Sequence, residues 1–165
     1  MRTIIHDLNS KQLKVLNFKD DDKLISAKKC SNHCVGCFSC WIKHPKHCAY
    51  KDDYSSITNL IKDSDELVII SKCRYGCYNS KVKMVLERCI GYVLPYFTIR
   101  DKRIHHQARY NQELKFHVIF YGDMLEEDKV VATTLVRANA INLNSNKYTV
   151  EFCNNIGGIS KCLLW

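Results

Sequence analysis

Short apolar runs alternate with amphipathic segments along the chain. TIIHDL at 3–8, ELVIIS at 66–71 and FHVIFYG at 116–122 have the composition of buried β-strands. DKLISAK at 22–28 and KYTVEFC at 147–153 predict two further strands. Because strands separated by helical segments are typical of a parallel sheet covered on both faces, the pattern predicts an α/β fold with five strands.

In the segments between these strands, apolar residues recur at the spacing of an α-helix. Ser10 can cap a short helix, and Asp52 or Asp53 can cap a second helix that has Ile57 and Ile61 on one face. The strongest stripe has apolar residues at spacings of three and four, namely Val82, Val85, Leu86, Cys89, Ile90 and Val93. Acidic residues begin a last helix within 122–141, and 96–112 predicts a small hairpin or a surface excursion.

The composition fits one domain over residues 1–165, with 46% apolar residues and no linker or repeat. We expect a cytoplasmic protein without a signal peptide or membrane span. Ten cysteines in such a compartment indicate metal binding, redox chemistry or burial rather than disulfides. The net charge of +8 favours anionic partners such as phosphates, nucleotides or acidic proteins, but no nucleic-acid motif is present.

Four cysteines have the spacing of an iron-sulfur site. Cys34, Cys37 and Cys40 are separated by two residues each, and Cys48 follows after seven more. A CxxCxxC run on a tight loop can direct three thiolates at one centre, and a cubic cluster needs a fourth cysteine from further along. We therefore predict a 4Fe-4S site here. Four half-buried thiols in a packed turn, or a zinc site shared with the neighbouring histidines, are the alternatives.

The same segment carries a family resemblance. CVGCFSCW, then Pro45, Cys48 and the doublet Asp52-Asp53, resembles the cysteine-bearing stretch of the flavodoxin-like NAD(P)H-dependent FMN reductases, which include the iron-sulfur flavoproteins. ELVIISKCRYGCYNSKVKMVLER resembles their third strand, flavin-facing loop and next helix through Ser71, Tyr75, Gly76, Ser80, Lys83 and Arg88. The resemblance implies a flavodoxin-like three-layer sandwich with strand order 2-1-3-4-5, and a homo-oligomer, either a dimer or a tetramer.

The resemblance also implies FMN, with NAD(P)H as a possible electron donor. Ligands of open parallel sheets bind beyond the carboxyl ends of the strands. The predicted FMN-contacting residues on the loop after strand three are Lys72, Cys73, Arg74, Tyr75, Gly76, Tyr78 and Asn79. On the first loop, HDLNSKQ, the family's Gly/Ser/Thr-rich phosphate segment is missing. Asn9, Ser10 and Lys11 can bind phosphate there, or Asn-Ser is a helix cap with no ligand.

Three functions are consistent with the sequence. The first is an FMN-binding oxidoreductase that passes electrons from NAD(P)H to flavin, quinone or a protein acceptor, with no catalytic acid or base required. The second is an iron-sulfur electron carrier that uses the cysteine loop. The third is a cofactor-free binding protein of the same fold, which the missing phosphate loop suggests.

Overall fold

The computed structural model describes residues 1–100 and 102–163. The first half forms β1 (Arg2–His6), α1 (Ser10–Leu13), β2 (Lys23–Ser26), α2 (Ser39–Ile42), α3 (Ile57–Lys62), β3 (Glu66–Lys72) and α4 (Ser80–Glu87). The second half forms β4 (Val93–Arg100), β5 (Arg103–Ala108), β6 (Lys115–Tyr121), α5 (Glu126–Asn142), β7 (Lys147–Cys153) and α6 (Ile156–Cys162). All five predicted strands are present.

The five strands form one parallel sheet in the order β2-β1-β3-β6-β7. The predicted α/β architecture is confirmed. Counted along this sheet alone, the order is the expected 2-1-3-4-5; the numbers differ because β4 and β5 form a separate antiparallel pair between the third and fourth sheet strands. Asp101 lies outside the described residues.

Helices cover both faces of the sheet because the central strands are apolar on both sides. One face packs α3, α4 and α5 against residues such as Ile5, Ile69 and Val118. The other face packs α6 and the segment around α1 against Ile4 and Ile70, which alternate with the first set along the strands. No helix among the described residues has the length and apolarity to cross a membrane.

Two local predictions need correction. The first helix is only four residues long, Ser10–Leu13, and its cap is Asn9 rather than Ser10. The helix after the cysteine loop begins at Ile57, and its N-cap, Ser56, makes no side-chain capping bond, so neither Asp52 nor Asp53 caps it. Asp52 instead accepts two hydrogen bonds from the Arg88 guanidinium.

Candidate functional site

The cysteine loop reverses direction through two residues with left-handed backbone. Gly36 has φ of +64° and Phe38 has φ of +55°. Glycine adopts this conformation freely, whereas a phenylalanine there stores on the order of 1 kcal/mol of strain. The two residues bend the coil that leads from Cys34 into α2, which contains Cys40 and has Phe38 as its N-cap.

This coil brings all four predicted cluster ligands to one cavity. Cys34, Cys37, Cys40 and Cys48 line it together with Arg88 and other residues, and its volume is about 40 Å³. Burial, with smaller contributions from the three other cysteines, raises the pKa of the Cys40 thiol. The four side chains therefore surround one space, although they are not in mutual contact.

Single-ion sites require a closer arrangement. Four sulfurs around one zinc ion each lie about 2.3 Å from it. Within residues 1–100 and 102–163, no group of three or more His, Cys, Asp or Glu side chains is placed to hold one metal ion. A cubic cluster binds each cysteine at a different corner, so its ligands stand further apart, and four cysteines are the donor set that such a cluster takes.

Trp41 and Gly91 fix the loop to the body of the protein. The Trp41 indole N–H donates to the carbonyl oxygens of Ile90 and Val93, both at 3.0 Å, and its ring stacks on Phe38 with centroids 5.2 Å apart. A Cβ atom on Gly91 would lie 3.3 Å from the Cβ of Cys40. The glycine therefore permits the close approach of the third cysteine to the segment after α4.

A buried ion pair closes the inner side of the cavity. The Arg88 guanidinium, 2% exposed, donates to both carboxylate oxygens of Asp52 at 2.7 and 2.6 Å. Asn32 and the Tyr54 backbone N–H donate to the same carboxylate at 3.0 and 3.1 Å. The rings of Tyr50 and Tyr54 lie over the guanidinium carbon at 5.4 and 5.6 Å. The two terminal nitrogens of the guanidinium are thus hydrogen-bonded and its plane is flanked by two aromatic rings, whereas Nε is buried without a partner and the Asp52 side chain is 24% exposed.

The electrostatics of this pair extend to the cysteines. Hydrogen bonds from Arg88, followed by that from Asn32, lower the pKa of Asp52 to about 2 against the opposing effect of burial. Asp52, and after it the Cys48 thiol, raise the pKa of Arg88. The guanidinium of Arg88, paired with Asp52, therefore lies near one of the four sulfurs, that of Cys48.

At the carboxyl ends of the strands, a carboxyl group not predicted as a site residue occupies the centre. Asp7 is 3% exposed; it accepts the backbone N–H of Lys72 at 3.1 Å and the hydroxyl hydrogen of Tyr121 at 2.9 Å. Burial raises the pKa of Asp7 despite these bonds. Asp7 thus links the ends of β1, β3 and β6. Sequence reasoning missed it, although an acid directly after a buried strand was the available signal.

The loop after β1 uses its donors internally. The Asn9 side chain accepts from the Gln12 backbone N–H at 2.9 Å, and the Gln12 side chain accepts from the Asn9 backbone N–H at 2.8 Å. The N–H of Asp7 bonds to Ile70, and that of Leu8 bonds to the His6 ring. Ser10 and Lys11 are exposed in a helix of one turn. The structure shows the helix cap at Asn9, and phosphate binding by Asn9, Ser10 and Lys11 stays a prediction.

The loop after β3 also differs from a flavin platform. Tyr78 is buried, stacks on Phe120 with centroids 5.3 Å apart, and accepts a hydrogen bond from Asn139. Cys73 is buried as well, and burial raises the pKa of its thiol. Asn79 caps α4 by accepting the N–H of Lys81. These three residues therefore have structural roles in the core and at the start of α4, and their contact with FMN stays a prediction.

The remaining residues of this loop face outward or pack on α5. Lys72 and Arg74 are exposed, and Tyr75 is 93% exposed with φ of +53°. Gly76 has φ of +72°, and a Cβ atom there would lie 2.6 Å from Val131. Gly76 therefore has a packing role, independent of any ligand.

Comparisons with known proteins agree with this architecture. No protein-family model matches the chain. Over 86 residues the chain is 29% identical to an iron-sulfur flavoprotein of Archaeoglobus fulgidus, a match that covers 52% of this chain but only 38% of that protein. An FMN-dependent NADH-azoreductase of Bacillus anthracis, solved with FMN, has a TM-score of 0.54 at 12% identity, over 99% of this chain and 94% of that one. At this identity the structural match establishes the fold alone.

The chain resembles the flavodoxin-like FMN reductases. Both comparisons support this group, as the cysteine segment and the loop after β3 had indicated. The chain spans well under half of the flavoprotein relative, so that protein's full activity is not transferred to it.

Because of the Asp52–Arg88 pair, the free energy of unfolding should decrease as the pH falls. Because the folded-state pKa of Asp52 is about 2, below the unfolded value, its contribution is present above about pH 4 and is lost as pH falls through 2. We expect this loss to reach about 2 kcal/mol of unfolding free energy. Asp52→Asn should lower that free energy by about 3 kcal/mol at pH 7, because Arg88 stays buried without its partner.

Urea unfolding at a series of pH values measures both effects. The matched control is Asp63→Asn, which removes the exposed Lys62–Asp63 pair and should change stability by less than about 0.5 kcal/mol. Equal effects of the two substitutions, or an acid loss that persists undiminished in Asp52→Asn, would contradict the assigned role of the pair.

Gly76→Ala tests whether this glycine serves packing. The substitution should cost about 2 to 3 kcal/mol, because the new methyl group collides with Val131 and the backbone is left-handed. Gly36→Ala is the control: its φ is similar, at +64°, but nothing lies within 4 Å of the added atom, so about 1 kcal/mol is expected. Thermal or urea unfolding of both variants gives the comparison, and equal losses would refute the collision.

Proposed function

We propose that the chain is an electron-transfer oxidoreductase of the iron-sulfur flavoprotein kind, in which Cys34, Cys37, Cys40 and Cys48 hold a 4Fe-4S cluster. The observation that carries this proposal is the convergence of the four side chains on one cavity. When bound, such a cluster accepts and donates single electrons. The similarity of half the chain to an iron-sulfur flavoprotein supports the same function.

The surrounding residues have definable tasks in this proposal. The positive charge of Arg88 stabilises the thiolates that ligation requires, and Asp52 holds the guanidinium in place. Phe38 and Trp41 provide aromatic cover beside the third cysteine. The net charge of +8 favours acidic proteins or anionic small molecules as electron-exchange partners.

FMN-dependent reduction with NAD(P)H as donor is the second function that we propose to test. Its support is the likeness in fold to an FMN-dependent enzyme across almost the whole chain. The capping box at Asn9 weighs against it, because the Asn9 side chain and N–H are already bonded to Gln12. Cofactor content therefore separates the three functions: iron, with or without FMN, supports the cluster protein, FMN without iron supports the FMN-dependent reductase, and neither cofactor supports the cofactor-free binding protein.

Anaerobic purification, a visible spectrum and quantitation of iron and FMN test the cluster. We expect about four iron atoms per chain. Cys37→Ala should abolish the iron signal, because a ligand is lost, and should leave any FMN content nearly unchanged. Cys77→Ala is the matched control, since Cys77 lies on the loop after β3 and does not line the cavity. Iron retained at the same level in Cys37→Ala would refute the ligand assignment.

We also propose that the chain forms a homo-oligomer through the β4–β5 hairpin. Tyr96, Phe97, Ile99 and Ile104 are 63% to 75% exposed on it. Within the described residues, each strand of this pair leaves one edge without a neighbour. Exposed apolar strands with open edges are unfavourable in water and favour association.

Light scattering during size exclusion tests the hairpin interface. Wild-type chain should elute as a dimer or tetramer, and Ile99→Asp should shift it toward the mass of one chain, because a charge is placed in the apolar contact. Val130→Asp introduces the same charge at a 69% exposed position of α5 and should not change the mass. A monomeric wild type, or dissociation by both variants alike, would count against this interface.

A further inference from the structure

Two thiols on the face of the sheet away from the cysteine cavity are in direct contact. The Sγ atoms of Cys153 and Cys162 lie 3.4 Å apart, and this is the only thiol-to-thiol hydrogen bond among the described residues. Cys153 is the last residue of β7, whereas Cys162 is the last residue of α6. Both belong to the core of the α1/α6 face, so the pair is independent of the proposed cluster and of the proposed function.

The local fold is built to hold these thiols together. A Cβ atom on Gly158 would lie 3.2 Å from the Cβ and 3.4 Å from the Sγ of Cys153, so a glycine is needed for α6 to approach β7 this closely. The Asn155 side chain accepts the Gly158 N–H at 3.1 Å and sets the start of the helix. The Cys162 thiol also contacts the Gly158 carbonyl oxygen at 3.5 Å.

We propose that Cys153 and Cys162 form a reversible dithiol–disulfide site that clips α6 to the end of β7. The two residues differ in access: Cys153 is 6% exposed, whereas Cys162 is half-buried. Cys162 is therefore the thiol that meets a partner, and Cys153 is the thiol that resolves the intermediate.

The partner is a low-molecular-weight disulfide, and the exchange balances without any further reagent. The Cys162 thiolate attacks one sulfur of the partner, and the first small thiol leaves as a mixed disulfide forms. The Cys153 thiolate then attacks the Cys162 sulfur and expels the second small thiol. Both protein thiols are oxidised, the partner is reduced to two thiols, and these carry away the two protons.

The environment makes the reduced pair slow to react. Burial, together with Glu151 and Cys153, raises the pKa of the Cys162 thiol, and burial raises that of Cys153. Both groups are therefore protonated at neutral pH, where thiols react slowly. The contact distance compensates in the second step, because the resolving sulfur already touches the sulfur that it must attack.

The chain provides an internal comparison. Cys73 and Cys77 are closer in sequence, on the turn that pairs Arg74 with Cys77, yet no thiol contact joins them. If closeness in sequence were enough for disulfide formation, both pairs would be oxidised. If contact between the sulfur atoms is required, only Cys153 and Cys162 will form a disulfide.

Peptide mapping after incubation of the full reduced chain with oxidised glutathione, taken to equilibrium at mildly alkaline pH, tests the proposal. We expect a Cys153–Cys162 disulfide without retained glutathione, and no Cys73–Cys77 disulfide. Cys153→Ser should trap glutathione on Cys162, whereas Cys162→Ser should leave Cys153 unmodified because it is buried. Amide exchange in α6 should slow on the order of tenfold in the oxidised wild type.

Three results would overturn the site. They are glutathione retained on Cys162 of the wild type, an unreacted pair at equilibrium, or equal oxidation of the Cys73 and Cys77 pair. Because the wild-type map alone distinguishes these outcomes from the expected disulfide, the test stands even if one serine variant fails to fold.

Discussion

The buried pair between Arg88 and Asp52 is the interaction on which the candidate site depends. Asp52 lies just beyond the cysteine segment, and Arg88 is the C-cap of α4, so one bidentate pair of hydrogen bonds joins a loop to the helical layer. Removing the Asp52 carboxylate would leave the Arg88 charge buried without its partner, which is costly in a medium of low polarity. The cavity wall therefore has little freedom to rearrange, and its positive side is fixed toward Cys48.

Much of the fold was predictable because its signals are local. The three central strands of the sheet contain continuous apolar runs, β2 and β7 at its edges mix apolar with charged residues, and the hairpin at 96–112 has alternating character, so the local pattern located these elements. The final helix, Ile156–Cys162, was missed because Gly157 and Gly158 weaken its helical signal. Tertiary packing explains Gly158, because a side chain at this position would lie too close to Cys153.

The site was less predictable because its contacts join distant residues. Spacing identified the four cysteines, whose convergence needs only short-range turns. Nothing in the sequence indicated that Asp52 would pair with a residue 36 positions away instead of capping a helix. Likewise, Tyr78 matched a flavin-loop pattern, but its burial against Phe120 depends on a strand that follows much later in the chain.

The stacking of Trp41 on Phe38 has an optical consequence. The indole directly follows Cys40 in the sequence, and its partner ring lines the cavity of the four cysteines. A strongly absorbing iron-sulfur cluster in this cavity would lie close to the indole, and it would accept the excitation energy of the indole before that energy is emitted as light. The fluorescence of Trp41 should therefore be weaker when the proposed cluster occupies the cavity than when the cavity is empty.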